Sequence, residues 1–164
     1  SHGRVFIVEV MGHKVGWLTL YAGIAGGADI ILLPEIPYDL SIVIDALKER
    51  MRNGKRFSIL AVAEGAISKE DASLTKKELK EKKKSKIVYP SIAYEIGSAS
   101  TWMTGQEVRV TVPGHMQRGG EPCPDDRVLA TRLGAEAAAL IRNQDYGKMV
   151  ALRDGEIISI PLAY

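Results

Sequence analysis

Charged residues and glycines directly follow the apolar segments of this sequence. His115 and Arg118 lie in one glycine-rich stretch, Gly114–Gly120, and Glu64 comes directly after another apolar segment. In an open parallel sheet, ligands bind outside the carboxyl ends of the strands, so these side chains occupy the positions that would meet a ligand. Arginine binds a phosphate dianion through paired hydrogen bonds, whereas a carboxylate accepts hydrogen bonds from hydroxyl groups. The pattern indicates a ligand that carries both a phosphate and hydroxyls.

Two further cations, Arg4 and Arg109, lie on apolar segments. In Val108–Val112 the valines alternate with Arg109 and Thr111, so Arg109 is predicted to point away from the face that the valines occupy. Taken singly, the arginines also fit surface ion pairs, the histidine a turn hydrogen bond, and the glutamate a pair with a lysine. On the residues alone, these interpretations and the phosphate site both remain open.

The segments around these residues predict alternating strands and helices. Strands are predicted over 5–10, 30–33, 57–63 and 107–112, and helices over 15–25, 41–51, 92–103 and 125–142. Strands that are apolar on both faces are typical of a parallel sheet covered by helices on each side. The order predicts an α/β fold, a three-layer, Rossmann-like domain with right-handed crossovers.

Finer features of these elements can also be predicted. The apolar stripes are Leu18, Ala22 and Ala25 in the first helix and Ile42, Ile44, Leu47 and Met51 in the second. Glu9, inside an apolar strand, is predicted to be paired and structural, because a lone buried carboxylate is costly. Segments 148–152 and 157–162 flank the pair Asp154-Gly155 and predict a C-terminal hairpin, because these residues adopt positive φ cheaply.

A polar segment, about 66–90, interrupts the alternation and carries seven lysines between 76 and 86. It predicts a lysine-rich helical insertion. A nucleic-acid-binding patch is the alternative, but no aromatic residues are interleaved with the lysines, so a solvated insertion is favoured.

The composition excludes several classes of protein. The 164 residues are 46% hydrophobic and 26% charged, with a formal net charge of +2, which is typical of one soluble domain without a nucleic-acid or membrane partner. No apolar run approaches the roughly 20 residues of a membrane-spanning helix. The single Cys123 and three scattered histidines predict no metal site and fit a reducing, cytoplasmic location. Because the chain starts without Met or a signal peptide, we expect it to begin within a longer protein.

Three motifs resemble the phosphofructokinase family in their order and spacing. They are Val8-Glu9-Val10-Met11-Gly12-His13, the stretch 23–29 with Pro34-Glu35, and Gly114-His115-Met116-Gln117-Arg118-Gly119-Gly120. The resemblance extends over nearly the whole chain except the lysine-rich insertion. It implies that residues 1–164 are the C-terminal, fructose 6-phosphate-binding portion of a 6-phosphofructokinase.

The family transfers a phosphoryl group from ATP, or in some members pyrophosphate, to the 1-hydroxyl of fructose 6-phosphate in glycolysis, with magnesium. Its glycine-rich donor loop, magnesium motif and catalytic base have no counterpart in this sequence. The resemblance therefore implies that the N-terminal donor-binding portion is absent, that no catalytic residue lies here, and that this chain alone binds no cofactor and is inactive. The alternatives are a pyrophosphate-dependent enzyme and a non-catalytic, sugar-phosphate-binding regulatory subunit.

The resemblance also implies a set of substrate-binding residues. They are Arg4, Met11, Gly12, His13, Glu64, Arg109, His115, Met116, Gln117 and Arg118. Glu64 is expected on the sugar hydroxyls, and His115 with Arg118 on the 6-phosphate. Arg4 and Arg109 match family arginines that reach the 6-phosphate of a neighbouring subunit. The complete site would then require a homo-oligomer, a tetramer in the family and possibly only a dimer for this portion.

The sequence departs from the family pattern at His13 and Asn53, and the resemblance also implies a secondary, effector-binding site. His13 stands where the family usually has an arginine that contacts the transferring phosphoryl group, and a shorter, partly charged side chain there puts the choice of donor in question. Asp29 and, more weakly, Lys55 match positions that contact an allosteric nucleotide in bacterial members, whereas Asn53 replaces a cation of that site.

The predicted helix 125–142 carries an apolar stripe that would lose its partner if the donor-binding portion is absent. The stripe consists of Val128, Leu129, Leu133 and Leu140. We expect it to find a substitute surface, either by folding back on the sheet or by pairing with a second copy.

Overall fold

The computed structural model describes residues 3–85 and 89–163, which form two compact units, Ser1–Arg118 and Gly119–Tyr164. The elements of the first unit are β1 (Arg4–Val10), α1 (Trp17–Ala25), β2 (Ile30–Leu32), α2 (Leu40–Arg52), β3 (Phe57–Ala63), α3 (Lys69–Ala72), α4 (Lys76–Ser85), α5 (Ile92–Thr104), β4 (Glu107–Thr111) and a 3₁₀ helix, Gly114–Arg118. The four strands are parallel, in the order β2-β3-β1-β4. The predicted α/β fold is confirmed.

The hydrophobic core lies between the sheet and the helices α2 and α5. Val5 and Ile7 of β1 and Leu60 and Val62 of β3 have no exposed surface. They alternate along their strands, so all four point to the same side of the sheet. Helix α5 can approach this side closely because Gly97 has no side chain: a Cβ atom there would lie 2.9 Å from Val110 Cγ2.

Helix α1 contacts β2 and β3 on the opposite side, and its predicted apolar stripe is wrong. The buried residues are Thr19 and Gly23, whereas Leu18 is 51% exposed. Ala22 and Ala25 are also exposed. A Cβ atom at Gly23 would lie 2.7 Å from Ile31 Cδ1. The helix therefore packs through Thr19 and Gly23, and the missing side chain at Gly23 lets its backbone lie close to the sheet.

The stripe predicted for α2 is partly confirmed. Val43, Ile44 and Leu47 are buried, but Ile42 and Met51 are 61% and 40% exposed. The helix begins after Asp39, whose side chain accepts a hydrogen bond from the Ser41 amide at 3.0 Å. That cap satisfies one of the free amides in the first turn of α2.

Glu9 is buried and paired, as predicted. It is 7% exposed, and its Oε2 accepts a hydrogen bond from the Ala93 amide at 3.0 Å, in the first turn of α5. Ser91, which precedes that helix, makes no capping hydrogen bond with its own side chain. Glu9 therefore performs the capping from a neighbouring strand, where a carboxylate is stabilised by the helix dipole.

The described part of the lysine-rich insertion is helical, as predicted, and forms α3 and α4. Residues 86–88 of the insertion lie outside the described residues. Glu78 Oε2 accepts from the Thr75 amide at 2.8 Å, and the Thr75 hydroxyl accepts from the Glu78 amide at 3.3 Å. This reciprocal cap starts α4. Lys82 of α4 forms an ion pair with Asp71 of α3, which joins the two helices.

The second unit contains α6 (Pro124–Arg142) and the antiparallel strands β5 (Lys148–Arg153) and β6 (Glu156–Pro161). The predicted hairpin is confirmed, and Asp154 and Gly155 have φ values of 51° and 83°. Helix α6 packs against both strands. Of its predicted apolar stripe, Leu129, Leu133 and Leu140 are partly buried and Val128 is 57% exposed. None of the described helices is both long and apolar enough to cross a membrane.

Candidate functional site

A tight turn at the carboxyl end of β1 is held by one carboxylate. In this turn, Gly12 and His13 have φ values of 154° and 55°. Glu64, directly after β3, accepts hydrogen bonds at Oε1 from the Gly12 amide at 3.2 Å and the His13 amide at 2.7 Å. Gly65 lies against the same turn: a Cβ atom there would be 2.0 Å from the His13 carbonyl oxygen. The ends of β1 and β3 are thus joined at the edge where a ligand is expected.

The electrostatics of Glu64 keep it ionised. Hydrogen bonds from the His13 and Gly12 amides lower the pKa of its carboxyl group, and the charges of His13 and Arg118 contribute in the same direction. Both hydrogen bonds that the structure describes for Glu64 end on Oε1. The other oxygen, Oε2, is therefore the one that can accept hydrogen bonds from a ligand.

These hydrogen bonds make the turn sensitive to acid. Because the folded-state pKa of Glu64 is below its ordinary value of 4.5, the stabilisation is complete above that pH and is lost as the pH falls through the lowered folded-state pKa. We expect the amide proton signals of Gly12 and His13 to shift together in that acid range in an NMR titration. Glu64→Gln should remove this titration, and a midpoint at the ordinary glutamate value would contradict the assigned hydrogen bonds.

The 3₁₀ helix, Gly114–Arg118, lies at the same edge of the sheet as the turn after β1. Gln117 Oε1 accepts a hydrogen bond from the Met11 amide at 3.2 Å, which ties this helix to the end of β1. Its Nε2 is buried and has no hydrogen-bond partner among the described residues. His115 and Arg118, on the same short helix, are exposed. Gln117, which the sequence placed among substrate contacts, thus also braces the turn.

Two members of the cluster, Met116 and His13, are exposed to solvent. Met116 is 83% exposed, so it packs little within the first unit. The His13 side chain is exposed as well, while its amide is held by Glu64. The structure therefore brings Met11, Gly12, His13, Glu64, His115, Met116, Gln117 and Arg118 to one edge of the sheet.

Arg4 and Arg109 lie elsewhere. Arg4 is the first residue of β1, at the opposite end from the turn, and Arg109 is in the middle of β4. Strands advance about 3.3 Å per residue, so β1 separates Arg4 from the turn by roughly 20 Å. Both arginines form ion pairs with Glu107. Within one copy of the chain, Arg4 and Arg118 therefore lie too far apart to form one site.

Asp29, predicted to contact an effector, has internal partners. Its Oδ1 lies 2.7 Å from Arg50 Nη2, and its Oδ2 accepts from the Ile59 amide at 2.9 Å. Lys55 is exposed in the loop before β3. The effector site stays a prediction, and the contacts show that Asp29 also joins β2 to α2 and β3.

Two acidic residues make positioning contacts that the sequence analysis did not predict. Glu35 Oε1 accepts from the Gly16 amide at 2.7 Å, where α1 begins, and Glu107 bridges the two arginines. Both are single acidic residues next to strands or turns. The role of Glu107 could have been found in the sequence only from its position: Glu107 and Arg4 begin two strands, which the structure shows to be neighbours.

The described residues form no metal site with three protein ligands. Among them, no group of three carboxylate, histidine or cysteine side chains is arranged to hold a metal ion. Divalent magnesium is bound by carboxylates together with phosphate oxygens and water.

Comparisons with known proteins agree on one family. The family model described as Phosphofructokinase matches residues 1–141. The chain is 57% identical over 162 residues to an ATP-dependent 6-phosphofructokinase of Spirochaeta thermophila, covering 99% of this chain and 44% of that protein. It is 45% identical to ATP-dependent 6-phosphofructokinase 3 of Bacteroides thetaiotaomicron, covering 99% and 43%. The chain thus spans less than half the length of these curated relatives.

Solved structures show the same fold. Phosphofructokinase of Pichia pastoris in the T-state superimposes with a TM-score of 0.73 at 36% identity, over 99% of this chain and 17% of that one. A pyrophosphate-dependent phosphofructokinase of Marinobacter aquaeolei gives a TM-score of 0.72 at 21% identity, over 99% and 40%. The second likeness extends to the fold alone.

Proposed function

The chain belongs to the phosphofructokinase family, and on that premise we propose that it is the fructose 6-phosphate-binding portion of an ATP-dependent 6-phosphofructokinase. The whole protein would be a glycolytic, cytoplasmic phosphotransferase. The observation that carries the proposal is the cluster at the carboxyl edge of the sheet. There, Glu64 holds the β1–α1 turn while Arg118 lies close enough to influence its pKa. The cluster combines a hydroxyl-accepting carboxylate with phosphate-binding cations.

Each group in the cluster has a proposed task. Glu64 Oε2 accepts hydrogen bonds from sugar hydroxyls, since Oε1 is used by the turn. His115 and Arg118 bind the 6-phosphate, and Gln117 fixes their helix to β1. Holding the sugar at both ends orients its 1-hydroxyl toward the donor, which lowers the entropic cost of reaction.

The proposed reaction forms a bond between the sugar O1 and the γ-phosphorus of ATP and breaks the bond from that phosphorus to the β–γ bridging oxygen. The proton of the 1-hydroxyl passes to a base outside this chain. ATP is favoured as donor because the relatives at 57% and 45% identity are named ATP-dependent. Donor and magnesium would be held by a portion that these 164 residues do not include. His13 is proposed to face the transferring phosphoryl group.

The distance between the two groups of cations supports a shared site. Arg4 and Arg118 are about one strand length apart in one copy, and an arginine side chain spans only a fraction of that distance. Both can contact one 6-phosphate only if Arg4 comes from a second copy. We therefore propose a homo-oligomer in which Arg4 and Arg109 complete the site of a neighbour.

Arg118→Ala tests the assignment of the 6-phosphate. Loss of a charged hydrogen-bond partner should weaken fructose 6-phosphate binding by about 2 to 3 kcal/mol, or roughly 30- to 150-fold. Calorimetric titration of this chain, with its mass in solution measured alongside, provides the affinity. Arg52→Ala is the matched control, because Arg52 is an exposed arginine at the end of α2, away from the cluster.

The full-length enzyme gives the second readout. Arg118→Ala should raise the KM for fructose 6-phosphate there, and an unchanged KM and kcat would contradict the pocket. If the full-length protein binds the sugar phosphate but never transfers a phosphoryl group, it is a regulatory subunit instead of an enzyme.

A further inference from the structure

Glu107 links the two arginines that lie far from the carboxyl-edge cluster. Its Oε2 is 2.9 Å from Arg4 Nε, and its Oε1 is 2.9 Å from Arg109 Nε and 2.8 Å from Arg109 Nη2. One carboxylate thus binds two guanidinium groups, each through a different oxygen.

The sheet dictates this arrangement. Arg4 of β1 is the register partner of Glu107 of β4, and Glu107 and Arg109 are two residues apart on the same strand. Side chains of register partners and of residues i and i+2 share one face of a sheet. All three side chains therefore project from the same face, and the two guanidinium groups are brought together by backbone pairing.

Stability does not explain the three-residue network. The side chains of Arg4, Glu107 and Arg109 are 51%, 47% and 57% exposed, and exposed ion pairs contribute little to folding. The two hydrogen-bonded arginines lower the pKa of the Glu107 carboxyl group, so it remains charged at neutral pH. Two cations and one anion leave a net positive charge for an incoming anion.

The geometry also leaves donors available. Among the described contacts, Glu107 accepts a hydrogen bond from Arg4 only at Nε. From Arg109, it is contacted by both Nε and Nη2. Both Nη groups of Arg4 and the Nη1 of Arg109 make no hydrogen bond to the described residues. A phosphate accepts hydrogen bonds from several such groups at once.

We propose that Glu107 is a positioning residue that holds Arg4 and Arg109 as a preformed pair for the phosphate group of a sugar phosphate. The inference rests on the proposed function and adds the residue that organises the distant half of the phosphate site. Without Glu107, two like charges would have to be brought together, and two long side chains ordered, when the ligand binds. Its own charge repels the phosphate only weakly at such an exposed position, because water screens it.

The experiment follows the side-chain Nε–H signals of Arg4 and Arg109 by NMR on the 164-residue chain. Inorganic phosphate is titrated first, then fructose 6-phosphate. In the wild-type chain both signals should shift together with one affinity for phosphate. Glu107→Ala should weaken that affinity about fivefold to tenfold, without a change in melting temperature, and Glu107→Asp should restore part of it. Glu49→Gln, at an exposed position on α2, is the matched control.

Three results would overturn the proposal. Tighter phosphate binding in Glu107→Ala would mean that Glu107 competes with the ligand, and unchanged binding, or no arginine response in the wild-type chain, would also overturn the proposal. The proposed function fails separately, if fructose 6-phosphate binds no better than inorganic phosphate and Arg118→Ala has no effect.

Discussion

Gly65→Ala is expected to disrupt both the turn at the end of β1 and the binding of fructose 6-phosphate. The new methyl carbon would lie 2.0 Å from the His13 carbonyl oxygen and 3.1 Å from its carbon. These are backbone atoms, so no side chain can rotate away, and the turn must move. Movement would break the hydrogen bonds of Glu64 to the Gly12 and His13 amides. We expect a loss of about 3 kcal/mol in the free energy of unfolding, at the upper end of overpacking effects.

Urea unfolding and sugar-phosphate titration together test this expectation. Gly134→Ala is the control, since a Cβ atom at Gly134 in α6 meets nothing within 4 Å. Alanine is a better helix former than glycine, so this change should stabilise α6 by up to about 1 kcal/mol. Wild-type stability and binding in Gly65→Ala would show that the turn is not as closely packed as described.

Leu47→Ala is expected to destabilise the first unit through the core. Leu47 has no exposed surface and packs in the cluster between α2, α5 and the sheet. Removing its side chain leaves a cavity that the surrounding strands fill poorly, at a cost of about 2 to 5 kcal/mol. Urea unfolding, followed by a signal from the first unit, measures the loss.

The matched control lies on the same helix. Ile42 is 61% exposed, so Ile42→Ala should change the stability by no more than about 0.5 kcal/mol. The pair also tests which face of α2 is buried, because the apolar pattern alone assigned Ile42 and Leu47 to the same stripe. Equal losses in the two variants would contradict the packing of α2.

The sheet could be predicted because its signals are strong and local. β1, β3 and β4 are apolar or alternate, and the Asp154-Gly155 pair adopts the positive φ values that the hairpin needs. The buried face of α1 could not be predicted, because that helix is apolar all round. Contrast between polar and apolar residues is what identifies a buried face. The packing of α1 on the sheet depends on the small size of Gly23, and hydropathy does not measure size.

The candidate site was predictable in its members but not in their contacts. Residues after parallel strands gather at one edge whatever their detailed geometry, so Glu64 and Arg118 were found. That Glu64 would bind backbone amides, and that Gln117 would reach Met11, depends on distances across the sheet. Glu107 was missed because its importance comes from strand pairing between β1 and β4.

The position of β1 in the middle of the sheet also governs the order of assembly. Its first residue pairs with Glu107, 103 residues later in the sequence, and its other neighbour is β3. At synthesis rates of about 5 to 20 residues per second, β1 emerges several seconds before β4 exists. Its backbone has no pairing partner until β3 is made, and it still lacks one on the other side until β4 is made. Of the four strands of this sheet, β1 is thus made before the others but is fully paired only when β4 is present, and contacts so distant in sequence slow the folding of the unit.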